Sequence, residues 1–504
     1  MPDTARRGVP TPPIAFDVPA ASVRARFESS TVAVDDTVLE KLRGICDRVE
    51  TDGAALVEAG RDWWPLSIGW ALGGEVAARP AAIATPSTPA EVAAILACCA
   101  ELRTPVTAGA GRSGVCGGSV PVFGGVVLDL TGLSGIVDID DESLLIDVLP
   151  GTFGDLLEES LRAEHGLSLG HWPQSIALST VGGWVACRSA GQYSTRYGKI
   201  EDMVVGLEVA LADGRLIRTG RTAPRAAAGP DLTQLFVGSE GTLGVITEVR
   251  LRAHPVPPVE RHAAFGFKSF AAGLDCCRRI LRRGGTPAVL RLYDATESRR
   301  TFEVSDRNVL IVLDEGDARL VSATMNLVGE ECRDADGLSD DLVGRWLTHR
   351  NDVSALESVI RHGITVDTIE IAARWSALPA IYEEAITALG EIDGTLVASA
   401  HQSHAYRDGA CLYFTFAGRP SSDATATDRY YRRAWDVVMA VTLSRGGALS
   451  HHHGIGINRG RHMRGALGPA FDVLVALKTA LDPSGVLNPG KLGLPSPFGE
   501  IPWP

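Results

Sequence analysis

The sequence predicts an α+β protein built from two large domains. Three observations predict this class: strands and helices alternate from about residue 80, prolines cluster at 254–258, and residues 259–450 mix strands with helices. The 504 residues are enough for two or three domains with substantial cores. We expect an N-terminal helical leader over 1–78, a first domain over 79–257, a second domain over 258–450 and a C-terminal segment over 451–504.

The first domain opens with a strand–helix–strand pattern. Residues 82–84 form an apolar strand, and Thr88-Pro89 mark a helix start, because a hydroxyl residue caps a helix and proline fits its first turn. This helix is expected to continue to Leu102. Further strands are expected at 105–107, 125–130, 144–149, 203–212, 215–219 and 243–252. Such alternation is typical of an α/β nucleotide-binding unit.

The second domain combines strands and helices, and one further helix follows it. We expect strands at 263–267, 288–293, 309–313 and 410–416, and helices at 270–283, 376–389 and 428–445. Residues 471–481 form the C-terminal helix, which ends before Pro483. In the leader, Trp63, Trp64 and Trp70 are expected to pack against the main body of the protein.

Charge and cysteine content exclude several functional classes. The net charge is −13 and the isoelectric point is near 5.5, whereas proteins that bind nucleic acid carry a basic face, so we expect no nucleic-acid partner. The nine cysteines form no CxxC pattern and are expected to be reduced, buried thiols of a cytoplasmic protein. No stretch of the sequence reaches the apolar length of a membrane span.

Three consecutive histidines, His451, His452 and His453, precede the Gly454-Ile455-Gly456 turn. Imidazole titrates near neutral pH, and the glycines allow a ligand to approach the backbone, so acid–base chemistry on a small substrate is one interpretation. Side chains alternate along an extended segment, so the outer two histidines can face one way and the middle one the other. The alternatives are a metal site, which needs further ligands, and a chance cluster.

Small residues form three separate loops in the first domain. The loop at 107–114 lies between two strands instead of at a strand-to-helix turn, so it is not a dinucleotide fingerprint, although its amides can form an anion-binding nest. Two further stretches, at 179–191 and 238–247, are also rich in glycine and hydroxyl residues and are expected to be loops. Together the three loops can surround a long, flat, phosphate-bearing ligand with backbone contacts.

The order of these loops resembles that of the vanillyl-alcohol-oxidase type (PCMH-type) flavoproteins over about residues 75–495. The resemblance implies a two-lobed PCMH-type FAD-binding domain, an α+β cap domain, FAD as cofactor and a segment 451–504 that returns to the FAD domain. It implies no metal ion. The residues that it assigns to FAD are Thr107, Ala108, Gly109, Ala110, Gly111, Arg112, Ser113, Gln174, Ser175, Ser179, Thr180, Gly183, Cys187, Arg188, Ser189, Ala190, Glu240, Gly241, Gly244, Ile246 and Asn488.

Within this family the second half most resembles the alkyldihydroxyacetonephosphate synthases (alkylglycerone-phosphate synthases). The matching segments are 173–184, 367–370, 408–414 and 450–456. This resemblance implies ether lipid synthesis, in which a fatty alcohol replaces the acyl group of acyl-dihydroxyacetone phosphate through a flavin N5 adduct. The FAD-dependent D-2-hydroxy acid dehydrogenases share the fold but usually carry glutamate at the position of His452. Oxidation of a D-2-hydroxy acid or another alcohol is therefore the alternative.

The resemblance also implies catalytic roles and partners. His451, His452 and His453 serve as bases, and Tyr413 transfers a proton, although strand spacing alone places Tyr413 in the core. The expected partner is a small-molecule or lipid substrate. The resemblance is also compatible with peripheral membrane contact to reach a lipid and with a homodimer.

Four residues are candidates for substrate binding. Arg291 lies in an apolar strand, where it either forms a buried salt bridge or contacts the flavin or a substrate phosphate. The synthases carry a phosphate-binding arginine where this chain has Glu357, and Arg361, one helical turn further on, can replace it. His401 and His404 precede the Tyr413 strand and serve either chemistry or packing.

We predict that FAD is held non-covalently. Several relatives attach the flavin through a histidine in the first glycine-rich loop, whereas this chain has Arg112 and Ser113 there. Acid precipitation of the purified protein should therefore release all of the yellow colour into the supernatant. Flavin that remains on the washed pellet would show a covalent bond and contradict this prediction.

Overall fold

The computed structural model describes residues 14–28, 31–220, 223–352, 355–420, 424–501 and 503. Residues 1–13 of the predicted leader and the side chain of Glu357 lie outside the described residues. In the described part of the chain, no helix combines the length and the apolar composition that a membrane crossing requires.

The leader consists of short elements that precede the first lobe. They are β1 (Arg24–Ala25), α1 (Asp36–Ile45), β2 (Val49–Glu50), α2 (Gly53–Ala59), α3 (Pro65–Leu72) and β3 (Glu75–Val76). The Asp35 side chain begins α1 by accepting a hydrogen bond from the Val38 amide. Strand β2 pairs with the first lobe, so part of the leader belongs to that sheet.

The first lobe contains a four-stranded, largely parallel sheet. Its elements are β4 (Ala82–Ala84), α4 (Pro89–Glu101), β5 (Val106–Gly109) and β6 (Val126–Asp129), and the strand order is β2-β4-β6-β5. The Thr88 side chain caps α4 and Pro89 occupies its first turn, as the sequence predicts. The first glycine-rich loop follows β5, so it begins at an edge of this sheet.

The second lobe is built on a five-stranded antiparallel sheet with the order β11-β10-β12-β8-β7. Its strands are β7 (Ile136–Asp140), β8 (Leu145–Val148), β9 (Leu167–Ser168), β10 (Val204–Ala210), β11 (Leu216–Gly220), β12 (Val245–Arg252) and β13 (His254–Pro255), of which β9 and β13 form a separate pair. Its helices are α5 (Gly154–Ser160), α6 (Val181–Cys187), α7 (Ser194–Tyr197), α8 (Ile200–Met203) and α9 (Leu232–Phe236).

The prediction of a loop over 179–191 is wrong in part, because α6 occupies its centre. Val181, Trp184 and Val185 are buried at helical spacing and pack in the core of the second lobe. Two adjacent glycines lower the intrinsic helix propensity of this stretch, so tertiary packing decides its structure.

The cap is a seven-stranded antiparallel sheet with the order β17-β14-β16-β15-β19-β20-β18. Its strands are β14 (Val259–Phe267), β15 (Val289–Tyr293), β16 (Asn308–Gly316), β17 (Asp336–Leu338), β18 (Thr365–Arg374), β19 (Thr395–Ala405) and β20 (Gly409–Gly418). Its helices are α10 (Phe270–Arg282), α11 (Ala295–Phe302), α12 (Ala318–Glu331), α13 (Asp341–His349), α14 (Ala355–Arg361), α15 (Leu378–Gly390) and α16 (Ala424–Ser444). Helices α17 (Met463–Leu467) and α18 (Ala470–Leu481) follow.

Trp64 joins the leader to the cap. It is fully buried, its indole Nε1 donates a hydrogen bond to Tyr431 Oη at 2.8 Å, and its ring meets Trp70 and Trp503 edge to face at 5.2 and 5.3 Å. The leader is therefore attached to α16 through one aromatic cluster, as the sequence predicts for its tryptophans.

Replacement of Trp64 by alanine should lower the free energy of unfolding by about 3–5 kcal/mol, because it leaves a large cavity and removes the hydrogen bond that Tyr431 Oη accepts. Urea unfolding followed by circular dichroism measures this loss. Val473→Ala, at a position that is 62% exposed, is the control and should stay within about 0.5 kcal/mol. Equal stability of the two variants would contradict the proposed role of Trp64.

Candidate active site

A row of four side chains crosses the cap sheet. Tyr293, His401, Tyr413 and Glu370 are paired directly across β15, β19, β20 and β18. Successive side chains in a strand point to opposite faces, so Leu412, next to Tyr413, packs in the core on the other face. Strand alternation thus places polar residues from distant parts of the chain on one surface.

A cavity of about 330 Å³ lies between this surface and the glycine-rich loops. The segment 450–456, which contains the three consecutive histidines, is called the histidine loop. Together with the cap it lines the cavity with Arg291, His401, Ser403, His404, Tyr413, His452 and His453. The two lobes and Asn488 of the C-terminal segment line it with all of the residues predicted to bind FAD except Thr107 and Arg188. Thr107 is buried within β5, and the Arg188 guanidinium lies 3.3 Å from Glu201, so the structure does not bring these two to the cavity.

The backbone of the loops fits a flat, extended cofactor. A Cβ atom added to Gly111 would lie 2.1 Å from the Leu178 carbonyl oxygen, so two of the loops touch through their backbones. A Cβ atom on Gly114 or Gly183 would meet no neighbouring atom closer than 3.4 Å, which leaves room on the cavity side. Glycine at these positions lets a ligand contact backbone amides directly, as FAD binding requires.

Glu240 and Asn488 connect the loops of the lobes to the histidine loop. The two carboxylate oxygens of Glu240 accept hydrogen bonds from the Ile455 and Gly456 amides at 2.6 and 2.8 Å. The Asn488 side-chain amide donates to the carbonyl oxygens of Glu240 and Gly118 at 2.6 and 3.0 Å. Both residues line the cavity, and both also determine the position of the histidine loop above it.

The Glu370 carboxylate supports the histidine loop from below. Its oxygens accept hydrogen bonds from the Ser450 hydroxyl and the His453 amide at 2.8 and 2.9 Å, and also from the His451 amide. Arg459 lies 2.9 Å away, and neither side chain is exposed. Burial opposes ionisation of Glu370, but Arg459 and these donors hold its pKa below the ordinary value. Glu370 lies in the segment 367–370 that resembles the synthases, but the resemblance assigns it no role.

The imidazoles form a packed cluster. His451 Nδ1 and His452 Nδ1 lie 2.9 Å apart, and the His404 ring stacks on His451 with a centroid distance of 4.7 Å. His451 Nε2 is 2.9 Å from Tyr406 Oη, and His404 Nδ1 is 2.8 Å from Ser194 Oγ. His452, His453 and His404 reach the cavity, whereas His451 packs behind them and is not among the lining residues.

Burial keeps the three consecutive histidines neutral. It lowers the pKa of His451 and His452 to about 3 and that of His453 to about 4, although the Glu370 charge acts in the opposite direction. At neutral pH each ring therefore retains an unprotonated nitrogen. A neutral imidazole can accept a proton or bind a metal ion.

Tyr413 reaches the cavity instead of the core. Its hydroxyl accepts a hydrogen bond from Thr368 Oγ1 at 3.0 Å and lies 3.5 Å from His453 Nε2. Burial raises the pKa of Tyr413, so the phenol is protonated at neutral pH. Tyr413 and His453 thus form a hydrogen-bonded pair that can move a proton.

Arg291 brings a positive charge to the cavity. It is 8% exposed, its Nε donates to Tyr293 Oη at 3.1 Å, and its Nη2 donates to His401 Nε2 at 2.8 Å. No described carboxylate lies within ion-pair distance of Arg291, so the structure does not contain the buried salt bridge considered from the sequence. An arginine in this setting can bind an anionic ligand.

Arg361 does not line the cavity. Its guanidinium lies on the surface 3.0 Å from Asp17 of the leader. Arg361 was a candidate because it lies one helical turn from Glu357. This spacing puts the two positions on one face of a helix, but it does not show whether that face points to the cavity. This candidate is therefore separated from Arg291 and the histidines.

One group of imidazoles has the spacing of metal ligands. Ring nitrogens of His404, His451 and His452 lie within 4.8 Å of one another. Tyr406 and Ser194 contact the other nitrogens of two of these rings and can orient them. This geometry is compatible with a divalent transition metal as well as with proton transfer.

Comparisons with known proteins identify both halves of the chain. Residues 80–220 match a model described as FAD binding domain, and residues 256–492 match one described as FAD linked oxidases, C-terminal domain. YgcU of Escherichia coli K12, described as an uncharacterized FAD-linked oxidoreductase, is 34% identical over 391 residues, which are 73% of this chain and 79% of that protein.

Two further relatives represent two reaction types. Alkyldihydroxyacetonephosphate synthase of Trypanosoma brucei brucei is 29% identical over 413 residues, covering 74% of this chain and 66% of that protein. Glycolate oxidase subunit GlcD of Bacillus subtilis is 29% identical over 436 residues, covering 82% of this chain and 89% of that protein.

Solved structures show the same fold. A crystal structure of alkyldihydroxyacetonephosphate synthase aligns with a TM-score of 0.77 at 23% identity, over 95% of this chain and 90% of that one. Substrate-bound p-cresol methylhydroxylase aligns with a TM-score of 0.73 at 18% identity, over 91% of this chain and 96% of that one. The chain therefore belongs to the FAD-linked oxidase family of PCMH-type flavoproteins, and its cofactor is FAD.

Proposed function

We propose that this protein is an FAD-dependent oxidoreductase that oxidises a small hydroxy acid. The environment of Arg291 is the observation that supports this proposal most directly. It lines the FAD cavity, is almost fully buried, and has no described carboxylate at ion-pair distance. A buried, uncompensated cation is unfavourable in the free protein, so an anionic substrate group is its natural partner.

The part of the cavity wall that comes from the cap and the histidine loop supports a small, polar substrate. Every residue that the cap and the histidine loop contribute to the cavity is polar or charged: Arg291, His401, Ser403, His404, Tyr413, His452 and His453. A fatty acyl chain requires an apolar surface, because burying it against these groups gains little hydrophobic free energy. A hydroxy carboxylate can pair with Arg291 and place its hydroxyl near the histidines.

The chain supplies a base for the hydroxyl proton. In the proposed reaction the substrate O–H proton passes to His453, directly or through the Tyr413 hydroxyl, while the C–H bond breaks and a C=O bond forms. FAD held by the glycine-rich loops would supply the hydride acceptor for that C–H bond. Glu370, with an oxygen 3.7 Å from His453 Nδ1, stabilises the imidazolium that forms.

Ether formation is the second candidate. It is supported by the match of Tyr413 and the His451–His453 run to the alkyldihydroxyacetonephosphate synthases and by 29% identity to the trypanosomal synthase. In that reaction Arg291 would bind the substrate phosphate and the same base would remove a carbon-bound proton. The position of Arg361, on the surface next to Asp17, gives this candidate less support.

Anaerobic mixing should separate the two candidates. We expect a series of D-2-hydroxy acids to bleach the visible absorbance of the oxidised holoprotein in a stopped-flow spectrometer, and Arg291→Met to abolish bleaching at the same substrate concentration. Acyl-dihydroxyacetone phosphate with a fatty alcohol should cause neither bleaching nor release of fatty acid. Release of fatty acid without bleaching would instead support the synthase, and bleaching that Arg291→Met leaves unchanged would contradict the anchoring role of Arg291.

The neutral state of the histidines should make the free energy of unfolding depend on pH. Their pKa values are about 3 to 4 in the fold and about 6.5 in an unfolded chain, so between these values the unfolded chain binds more protons. Their contribution should be complete above about pH 6.5 and should fall as the pH drops towards 4, by roughly 1 kcal/mol per histidine and pH unit.

Urea unfolding at a series of pH values measures this slope. His452→Asn should reduce it, whereas His349→Asn at an exposed position serves as the control. A slope that does not respond to His452→Asn would show that the ring is protonated in the fold, which would contradict a neutral histidine base.

A further inference from the structure

Glu297 is a buried carboxylate behind the cavity wall. It belongs to α11, is 2% exposed, and does not line the cavity. One of its oxygens accepts hydrogen bonds from Ser399 Oγ and Thr415 Oγ1 at 3.1 and 2.8 Å. The other oxygen lies 2.8 Å from His401 Nδ1. Three hydrogen-bond contacts on one carboxylate fix its position between β19 and β20.

The contacts of His401 determine which nitrogen carries its proton. Arginine has only donors, so the 2.8 Å contact from Arg291 Nη2 requires His401 Nε2 to be the acceptor. The proton of neutral His401 therefore resides on Nδ1 and is donated to Glu297. The ring lies between Tyr293 and Tyr413, at centroid distances of 5.0 and 4.8 Å, so stacking fixes its plane while Glu297 selects its tautomer.

This arrangement occupies one edge of the Arg291 guanidinium. Nε contacts Tyr293 Oη and Nη2 contacts His401 Nε2, so the edge formed by these two nitrogens is taken. Among the described residues, Nη1 has no hydrogen-bond partner. The Nη1/Nη2 edge thus remains for a ligand, and its two parallel donors match the two oxygens of a planar carboxylate.

We propose that Glu297 is a positioning residue that, through the tautomer of His401, directs the Nη1/Nη2 edge of Arg291 to the carboxylate of the substrate. The proposal rests on the proposed function, because it requires that Arg291 binds a substrate anion. His401 then acts on the substrate through Arg291 and not as a base. Without the Glu297 acceptor, the His401 proton can move to Nε2, where it faces the arginine donors and displaces the guanidinium.

Oxalate, a planar dicarboxylate, is a suitable probe for the holoprotein. Binding is measured from the change in flavin absorbance during titration, so turnover is not required. Glu297→Met keeps the length of the side chain but removes the acceptor, and it should weaken oxalate binding about tenfold, which corresponds to about 1.4 kcal/mol. Glu297→Gln can still accept the Nδ1 proton through its amide oxygen and should stay within about threefold of the unmodified protein.

Two further variants make the test specific. His401→Phe retains the stacked ring without its nitrogens and should weaken binding as much as Glu297→Met does, which provides a second test if that variant does not fold. Glu315→Met removes another buried cap carboxylate, which accepts a hydrogen bond from Tyr197 Oη at 2.6 Å, and should leave oxalate binding unchanged.

The outcomes distinguish this proposal from the proposed function. Arg291→Met should abolish oxalate binding. If it does not, Arg291 does not bind the anion, and both proposals fail. If Arg291→Met abolishes binding while Glu297→Met and His401→Phe bind oxalate as tightly as the unmodified protein, only the positioning role of Glu297 is refuted. Equal weakening by Glu297→Gln and Glu297→Met would also refute it, because the acceptor would then be irrelevant.

Discussion

The buried ion pair between Glu370 and Arg459 is the interaction on which the active site depends. Neither residue is exposed, and the Glu370 carboxylate also accepts hydrogen bonds from the amides of His451 and His453 and from the hydroxyl of Ser450. A buried carboxylate is stable only when its charge and its lone pairs are matched, and here a tight loop of the chain supplies most of the matching groups. The conformation of the histidine loop and the charge of Glu370 therefore stabilise each other.

The histidine loop places different histidines in different environments. His452 and His453 reach the cavity, and His451 packs behind them against His404 and Tyr406. Neighbouring positions along one short segment thus provide both the reactive surface and the packing that holds it. The anionic Glu370 beneath them raises the pKa of these rings and so partly offsets the effect of burial, which lowers it.

The sequence predicted the parts of this structure that local patterns determine. The predicted strand at 410–416 and the predicted helix at 270–283 match β20 and α10 closely, because alternation and helical spacing of apolar residues are strong there. Most of the residues assigned to FAD line the cavity. They could be assigned from the sequence because the order of the glycine-rich loops along the chain resembles that of the family. The family resemblance extended this local information to the fold.

Features that depend on long-range contacts were not predictable in the same way. Strand β18 was not predicted from the sequence, and its Glu370 acquires a role only when folding brings Arg459 and the histidine loop to it. Glu297 lies more than a hundred residues from His401, and only the pairing of β15 with β19 brings Arg291 and His401 together. Arg361 was misplaced for the same reason, since Asp17, which it contacts, lies 344 residues away in the leader.

The hydrogen bonds of Glu240 couple the cofactor loops to the histidine loop. Its side chain holds two consecutive amides of the histidine loop, while its own carbonyl oxygen is held by Asn488 within the wall of the cofactor cavity. The shape of the flavin compartment and the catalytic geometry therefore cannot vary independently. Any shift of the cofactor loop at Glu240 would therefore be transmitted to the histidine loop through these hydrogen bonds.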